Sequence, residues 1–199
     1  MKHQHFLLHK PYGYLSQFVN NQSRRKNKKL LGTLYPFPKE IMAIGRLDET
    51  SEGLLLLTTD GKVSEQVRSK KIEKEYHVQL DGEISDLAIE QLKAGVEITV
   101  HGKKYITLSC QAKRLNPVPD FAPRIKKIRD ERHGPTTWVS ITLTEGKFRQ
   151  VRKMTAAVGF PTLRLFRVRI GDLQLNDMKP GAVIKVDQFG FIIDNAEPV

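Results

Sequence analysis

The chain has 199 residues, 39% of them hydrophobic and 28% charged, which is ordinary for a soluble globular protein and enough for one sizeable domain. No apolar run approaches the roughly 18 residues of a membrane helix, and the single cysteine, Cys110, excludes an internal disulfide and any multi-cysteine zinc site. A net charge of +11 favours polyanions, and without a basic amphipathic helix carrying apolar anchors the expected partner is nucleic acid, not a membrane.

In chain order, the pattern predicts strands over 5–9, 41–45 and 53–59, a helix over 62–68, and a strand over 75–81. A helix over 86–94 follows, with Ser85 as N-cap and Gly95 closing it. Strands are predicted over 105–113 and 138–143, a helix over 148–158, and strands over 162–170 and 183–186. Hairpin-like and crossover connections mix, so the fold class expected is α+β with a largely antiparallel sheet. No repeat or long linker divides the chain, which is read as one domain over 1–199.

Three segments concentrate the positive charge. Residues 17–30 carry Arg24, Arg25, Lys26, Lys28 and Lys29 without an acid. Residues 116–135 are proline-rich and carry Arg124, Lys126, Lys127, Arg129 and Arg132. Both read as surface loops contacting RNA or DNA, against the plainer reading of solvated loops. Residues 147–169 hold Lys147, Arg149, Arg152, Lys153, Arg164, Arg167 and Arg169 and no acid. There Val151, Met154 and Val158 make a buried stripe on the predicted helix, and Arg149, Arg152 and Lys153 a basic one. With Arg164 and Arg167 on the next strand, this region is expected to track a phosphate backbone.

Candidate chemistry is sparse. The histidines His3, His5 and His9 lack neighbouring carboxylates or cysteines for a metal, and no phosphate loop or serine elbow is present. Cys110 lies in an alternating stretch and reads as a packed small residue over a nucleophile. That leaves Asp48, in GRLD between the apolar runs IMAIG and GLLLLTT. A carboxylate there is either a nucleophile or base beside a cation, or a structural residue closing the turn toward Thr50 and Ser51.

GRLDETSEGLLLLTTDG resembles the catalytic motif of RsuA-type pseudouridine synthases, which act on ribosomal RNA. LLHKPYGYLSQF is similar to the family's Lys-Pro motif (Lys10 and Pro11), KEYHVQLDG to its tyrosine motif (Tyr76), and EGKFRQVRKMTAAVGFPTLRLFRVRIG to its arginine motif (Arg152). The resemblance spans almost the whole chain and is nearest to members without an N-terminal S4-type RNA-binding domain. It implies a bent, mainly antiparallel mixed sheet with flanking helices around a basic cleft. It also implies an isomerase that converts a uridine of large-subunit (23S) RNA to pseudouridine by base flipping. By the same resemblance Asp48 is the catalytic carboxylate, Arg152 its partner, Tyr76 the residue against the flipped uracil, and Arg46 a residue holding the RNA open. An isomerisation needs no cofactor or metal, and a monomer in the cytoplasm with ribosomal RNA as partner is expected. A non-catalytic RNA-binding protein on the same fold, or a metal-dependent nuclease, would share the charge but not the four motifs.

Overall fold

A computed structural model describes residues 2–19, 28–69, 72–124, 126–128 and 131–190. The described strands and helices run β1 (His5–Lys10), β2 (Tyr14–Leu15), β3 (Lys29–Leu30), β4 (Met42–Ala43), β5 (Glu52–Thr58), α1 (Gly61–Ser69), β6 (Lys74–Asp81) and α2 (Asp86–Ala94). They continue with β7 (Glu97–Val100), β8 (Lys103–Ile106), β9 (Gln111–Arg114), β10 (Thr136–Leu143), α3 (Gln150–Ala157), β11 (Thr162–Ile170), β12 (Leu173–Gln174) and β13 (Val183–Val186). The main sheet has nine strands in the order β13-β1-β5-β11-β6-β10-β9, with β4 on β5 and β12 on β11. Every pairing within it is antiparallel except β5 with β11, where Phe166 faces Glu52 and Arg167 faces Gly53. The fold is α+β with a mixed sheet, as the sequence predicts.

Burial explains the pattern strand by strand. All seven residues of β5 are buried, so its continuous apolar run is covered on both faces. Leu54 and Leu56 pack with Leu7 and Phe166 on one side, Leu55 and Leu57 with Phe6, Leu8 and Ile41 on the other. In β6, Val78 and Leu80 join Ile89 and Leu92 of α2 and Met154 of α3. The Ser85 hydroxyl accepts from the Ala88 amide and Gly95 ends α2 at φ 99°, matching the predicted caps. Gly53 has φ +106°, and a Cβ there would lie 2.3 Å from the Arg167 carbonyl oxygen. Only glycine permits the close crossing of β5 and β11.

Two elements differ from expectation. The strand predicted over 105–113 is two strands in different sheets: β8 pairs with β7 in a separate hairpin, while β9 edges the main sheet. Between them the Thr107 amide donates to the Val96 carbonyl and the Cys110 amide to the Lys93 carbonyl, which binds this stretch to the end of α2 and the connection after it. The helix predicted from 148 begins at Gln150, with Arg149 as a left-handed N-cap at φ 54° and ψ 35°.

Candidate active site

The parallel β5–β11 pair divides the sheet into two halves, and a cleft opens where they meet. Its lining includes Arg46, Asp48, Tyr76, Leu143, Val151 and Arg152. Arg46 and Asp48 come from the loop entering β5, Tyr76 from β6, and Arg152 from the first turn of α3.

The Asp48 loop is anchored through its backbone from several sides. The Ser16 hydroxyl lies 2.9 Å from the Leu47 amide and 2.8 Å from its carbonyl. The Gly13 amide donates to the Glu49 carbonyl and the Ser51 amide to the Asp48 carbonyl. From α3, Nη2 of Arg152 donates to the Thr50 carbonyl at 3.1 Å and the Ser51 hydroxyl at 3.2 Å. Lys10 is fully buried and its ammonium donates to the Ser51 carbonyl at 2.7 Å and the Pro11 carbonyl at 3.1 Å. Burial, partly opposed by Glu52 and Asp48, pushes the Lys10 amine down to about 7.

The carboxylate itself stays open to the cleft, with its side chain 25% exposed. Nη1 of Arg149 donates to Oδ2 at 3.1 Å. Nε of Arg152 stands 3.7 Å from the same oxygen, is buried, and makes no hydrogen bond. Burial and the neighbouring Arg149 lower the Arg152 pKa, partly countered by Asp48. Two guanidinium groups therefore converge on one carboxylate oxygen, the outer one hydrogen-bonded and the inner one held by the loop backbone. A left-handed non-glycine residue costs of order 1–3 kcal/mol and concentrates at functional sites; here that conformation carries the outer arginine.

The RNA pseudouridylate synthase family model matches residues 4–157. Ribosomal large subunit pseudouridine synthase E of Xanthomonas axonopodis pv. citri (strain 306) is 42% identical over 178 residues, covering 87% of this chain and 89% of that protein. The chain belongs to the RNA pseudouridylate synthase family. The protein of the same name from Vibrio parahaemolyticus serotype O3:K6 is 41% identical over 177 residues, covering 88% of this chain and 70% of its own. A solved structure described as a pseudouridylate synthase superposes with a TM-score of 0.73 at 26% identity, over 92% of this chain and 70% of the other. A chain from a Cbf5-Nop10-Gar1 complex shares the fold alone, with a TM-score of 0.55 at 14% identity.

This synthase brings Asp48, Tyr76, Arg152 and Arg46 into one cleft, together with Lys147 and Arg149. Arg149, placed by sequence among the RNA contacts, is the closer partner of Asp48; Arg152 holds the loop and approaches the carboxylate less closely. Arg164 and Arg167 correct the sequence reading outright. Both are buried: Arg164 makes a two-pronged pair with Glu52 at 2.9 Å on each arm, and Nε of Arg167 donates to the Leu54 carbonyl. Both guanidinium groups are enclosed at the β5–β11 junction, away from the surface where a phosphate would lie. Lys28 is likewise engaged with Glu49 at 2.6 Å. Lys153 lies outside the cleft lining, donating to the Thr99 carbonyl at 2.6 Å.

In the proline-rich loop, Lys126 and Lys127 are exposed, while Arg124 stacks over the Tyr12 ring at 4.7 Å. Arg129 lies outside the described residues, as do Arg24, Arg25 and Lys26. Among the described residues no group of three His, Cys, Asp or Glu could hold a metal, and no helix is long and apolar enough to cross a membrane. His5 and His9 instead serve the core, His5 with the Thr58 hydroxyl and His9 with the Met178 carbonyl. The Cys110 thiol donates to the Leu92 carbonyl, and burial raises it to about 11, so it is no nucleophile. Lys10 and Glu145 are the site residues that sequence reasoning left without a role. Glu145 accepts from the Gln150 side chain, the Tyr105 hydroxyl and the Leu108 amide, joining the β7–β8 hairpin to the start of α3.

Proposed function

We propose that this synthase isomerises a uridine of large-subunit ribosomal RNA in the cytoplasm, acting through a single catalytic domain with Asp48 as its catalytic carboxylate. The observation carrying this reading is the convergence of Arg149 and Arg152 on Oδ2 of Asp48, in a cleft shared with Tyr76. The large-subunit target rests on the 41–42% identity to the two synthase E proteins.

Both arginines make their nearest approach to Oδ2, and we assign Oδ1 to the reacting nucleoside. The uridine must leave its stack to reach this carboxylate, at a cost of a few kcal/mol. Contacts from Arg46 and Lys147 at the cleft to neighbouring phosphates offset part of that. Tyr76 lines the cleft with Leu143 and Val151, and we assign its ring to the uracil. The glycosidic N1–C1′ bond then breaks, the base turns, and a C5–C1′ bond forms with loss of the C5 hydrogen as a proton. N1 takes up a proton as C5 loses one, both exchanged with water, so atoms and electrons balance and no further reactant is needed.

Tritium release from transcribed large-subunit RNA labelled at uridine C5 tests the reading. The parental protein releases tritium, and Asp48→Asn binds RNA but releases none. Parental-rate release by purified Asp48→Asn, freed of parental enzyme, would refute the assignment of Asp48.

A further inference from the structure

Phe148 sits between the cleft residues Lys147 and Arg149, yet it is 57% exposed and outside the cleft lining. Among the described residues Tyr35 is the only other exposed Phe, Tyr or Trp side chain. A lone exposed apolar residue needs no explanation, but this one is not alone. The His101 ring, at the exposed tip of the β7–β8 hairpin, lies nearly parallel to it at 25°, with centroids 5.8 Å apart. The Lys153 ammonium stands 5.1 Å from the Phe148 centroid and Lys147 4.6 Å from that of Tyr105. The hairpin is held against α3 by Glu145, which bonds the Tyr105 hydroxyl and the Gln150 side chain. Two surface rings flanked by ammonium groups thus stand beside the mouth of the cleft on an anchored support.

We propose that the His101–Phe148 pair is a stacking subsite for an unpaired RNA base flanking the uridine held in the cleft. Extruding one base strips its neighbour of a stacking partner, and an aromatic surface beside the point of extrusion replaces it. Ring stacking tolerates any base, so the subsite supplies affinity and orientation, not base identity. The proposal rests on the RNA-isomerase reading, but the binding measurement below does not require turnover.

The test uses a single-stranded RNA oligonucleotide as probe, with Kd measured by anisotropy across salt concentrations. Phe148→Ala raises Kd roughly 5- to 150-fold, the span of one lost stacked base, with the log–log salt slope unchanged because no phosphate contact is removed. Phe148→Tyr restores binding, whereas Phe148→Leu, apolar but without a π face, does not. In Phe148→Trp the added tryptophan emission is quenched when RNA binds, while native Trp138 is buried and shared with the parent. Parental affinity in Phe148→Leu, or unquenched Phe148→Trp emission on fully bound RNA, overturns the subsite. A parental protein that binds the oligonucleotide through Phe148 but releases no tritium from large-subunit RNA leaves the subsite standing and sinks the proposed reaction instead.

Discussion

Arg164→Met separates a structural arginine from an RNA-binding one. In the native protein the Arg164 guanidinium and Glu52 carboxylate are 7% and 3% exposed and meet through two hydrogen bonds of 2.9 Å. Removing the cation strands Glu52 at the β5–β11 junction, and breaking one side of a buried pair costs about 3–5 kcal/mol. For a chain of this size each kcal/mol moves Tm by roughly 2–4 °C, so a fall of roughly 6–20 °C is expected. Adding Glu52→Gln removes the stranded charge and should recover more than half of it, since a buried pair replaced on both sides is often near neutral. Thermal unfolding followed by circular dichroism gives the first number, and RNA binding across salt the second. A parental Tm in Arg164→Met, with a salt slope reduced by about 0.7–0.9, would mean that the guanidinium reaches phosphate and that the burial argument is wrong.

Arg152→Ala removes the bonds to the Thr50 carbonyl and Ser51 hydroxyl, and a carboxylate displaced by about 1 Å costs about 10²-fold in rate; Arg152→Lys should recover little, lacking the guanidinium fork. Single-turnover tritium release at saturating RNA checks this, and a parental rate in Arg152→Ala would remove Arg152 from the positioning of Asp48. Lys10 gives a stability trend with pH: its folded value is near 7 against an ordinary 10.5, so between those values the unfolded state holds one more proton than the folded state. Stability from this group therefore rises with pH across that window, by at most about 1.4 kcal/mol per pH unit, and the penalty is complete below pH 7. Urea midpoints of parent and Lys10→Met should diverge in slope there, and parallel profiles would show that Lys10 titrates normally. Gly53→Ala should yield little folded protein, because its Cβ meets the Arg167 carbonyl at 2.3 Å on a backbone at φ +106°; a parental melting curve would contradict that crossing.

What could be read from sequence follows the range of the cause. Helix α2 matches its predicted bounds because Ser85, the apolar spacing and Gly95 are all local signals. Strands β11 and β13 also match their predicted ranges, each bounded by turn residues. The hairpin β7–β8 was hidden because the break after Ile106 depends on Val96 and Lys93 carbonyls, which alternation cannot reveal. Arg164 and Arg167 looked like surface cations because Glu52 and the Leu54 carbonyl lie 112 and 113 residues away. Asp48 stood out as a charge between apolar strands, and the family motifs located Tyr76 and Arg152. The contact of Arg149 with Asp48 was not legible, since a left-handed arginine in front of a helix leaves no periodic trace.

The same long separations bear on how the chain is made. Strands β1, β4 and β5 leave the ribosome early and pair with one another, β4 covering β5 at Leu57 and Thr58, but the Glu52–Gly53 end of β5 waits for β11 and the free edge of β1 waits for β13. An exposed edge on an apolar strand invites pairing with another chain, and partly folded chains showing such edges aggregate. The start of β5, a strand buried along its whole length in the finished protein, thus lacks its parallel partner until residue 167 has been added. Premature termination between Asp81 and Thr162 would release a chain in which the outer edge of β1 and the start of β5 are still uncovered.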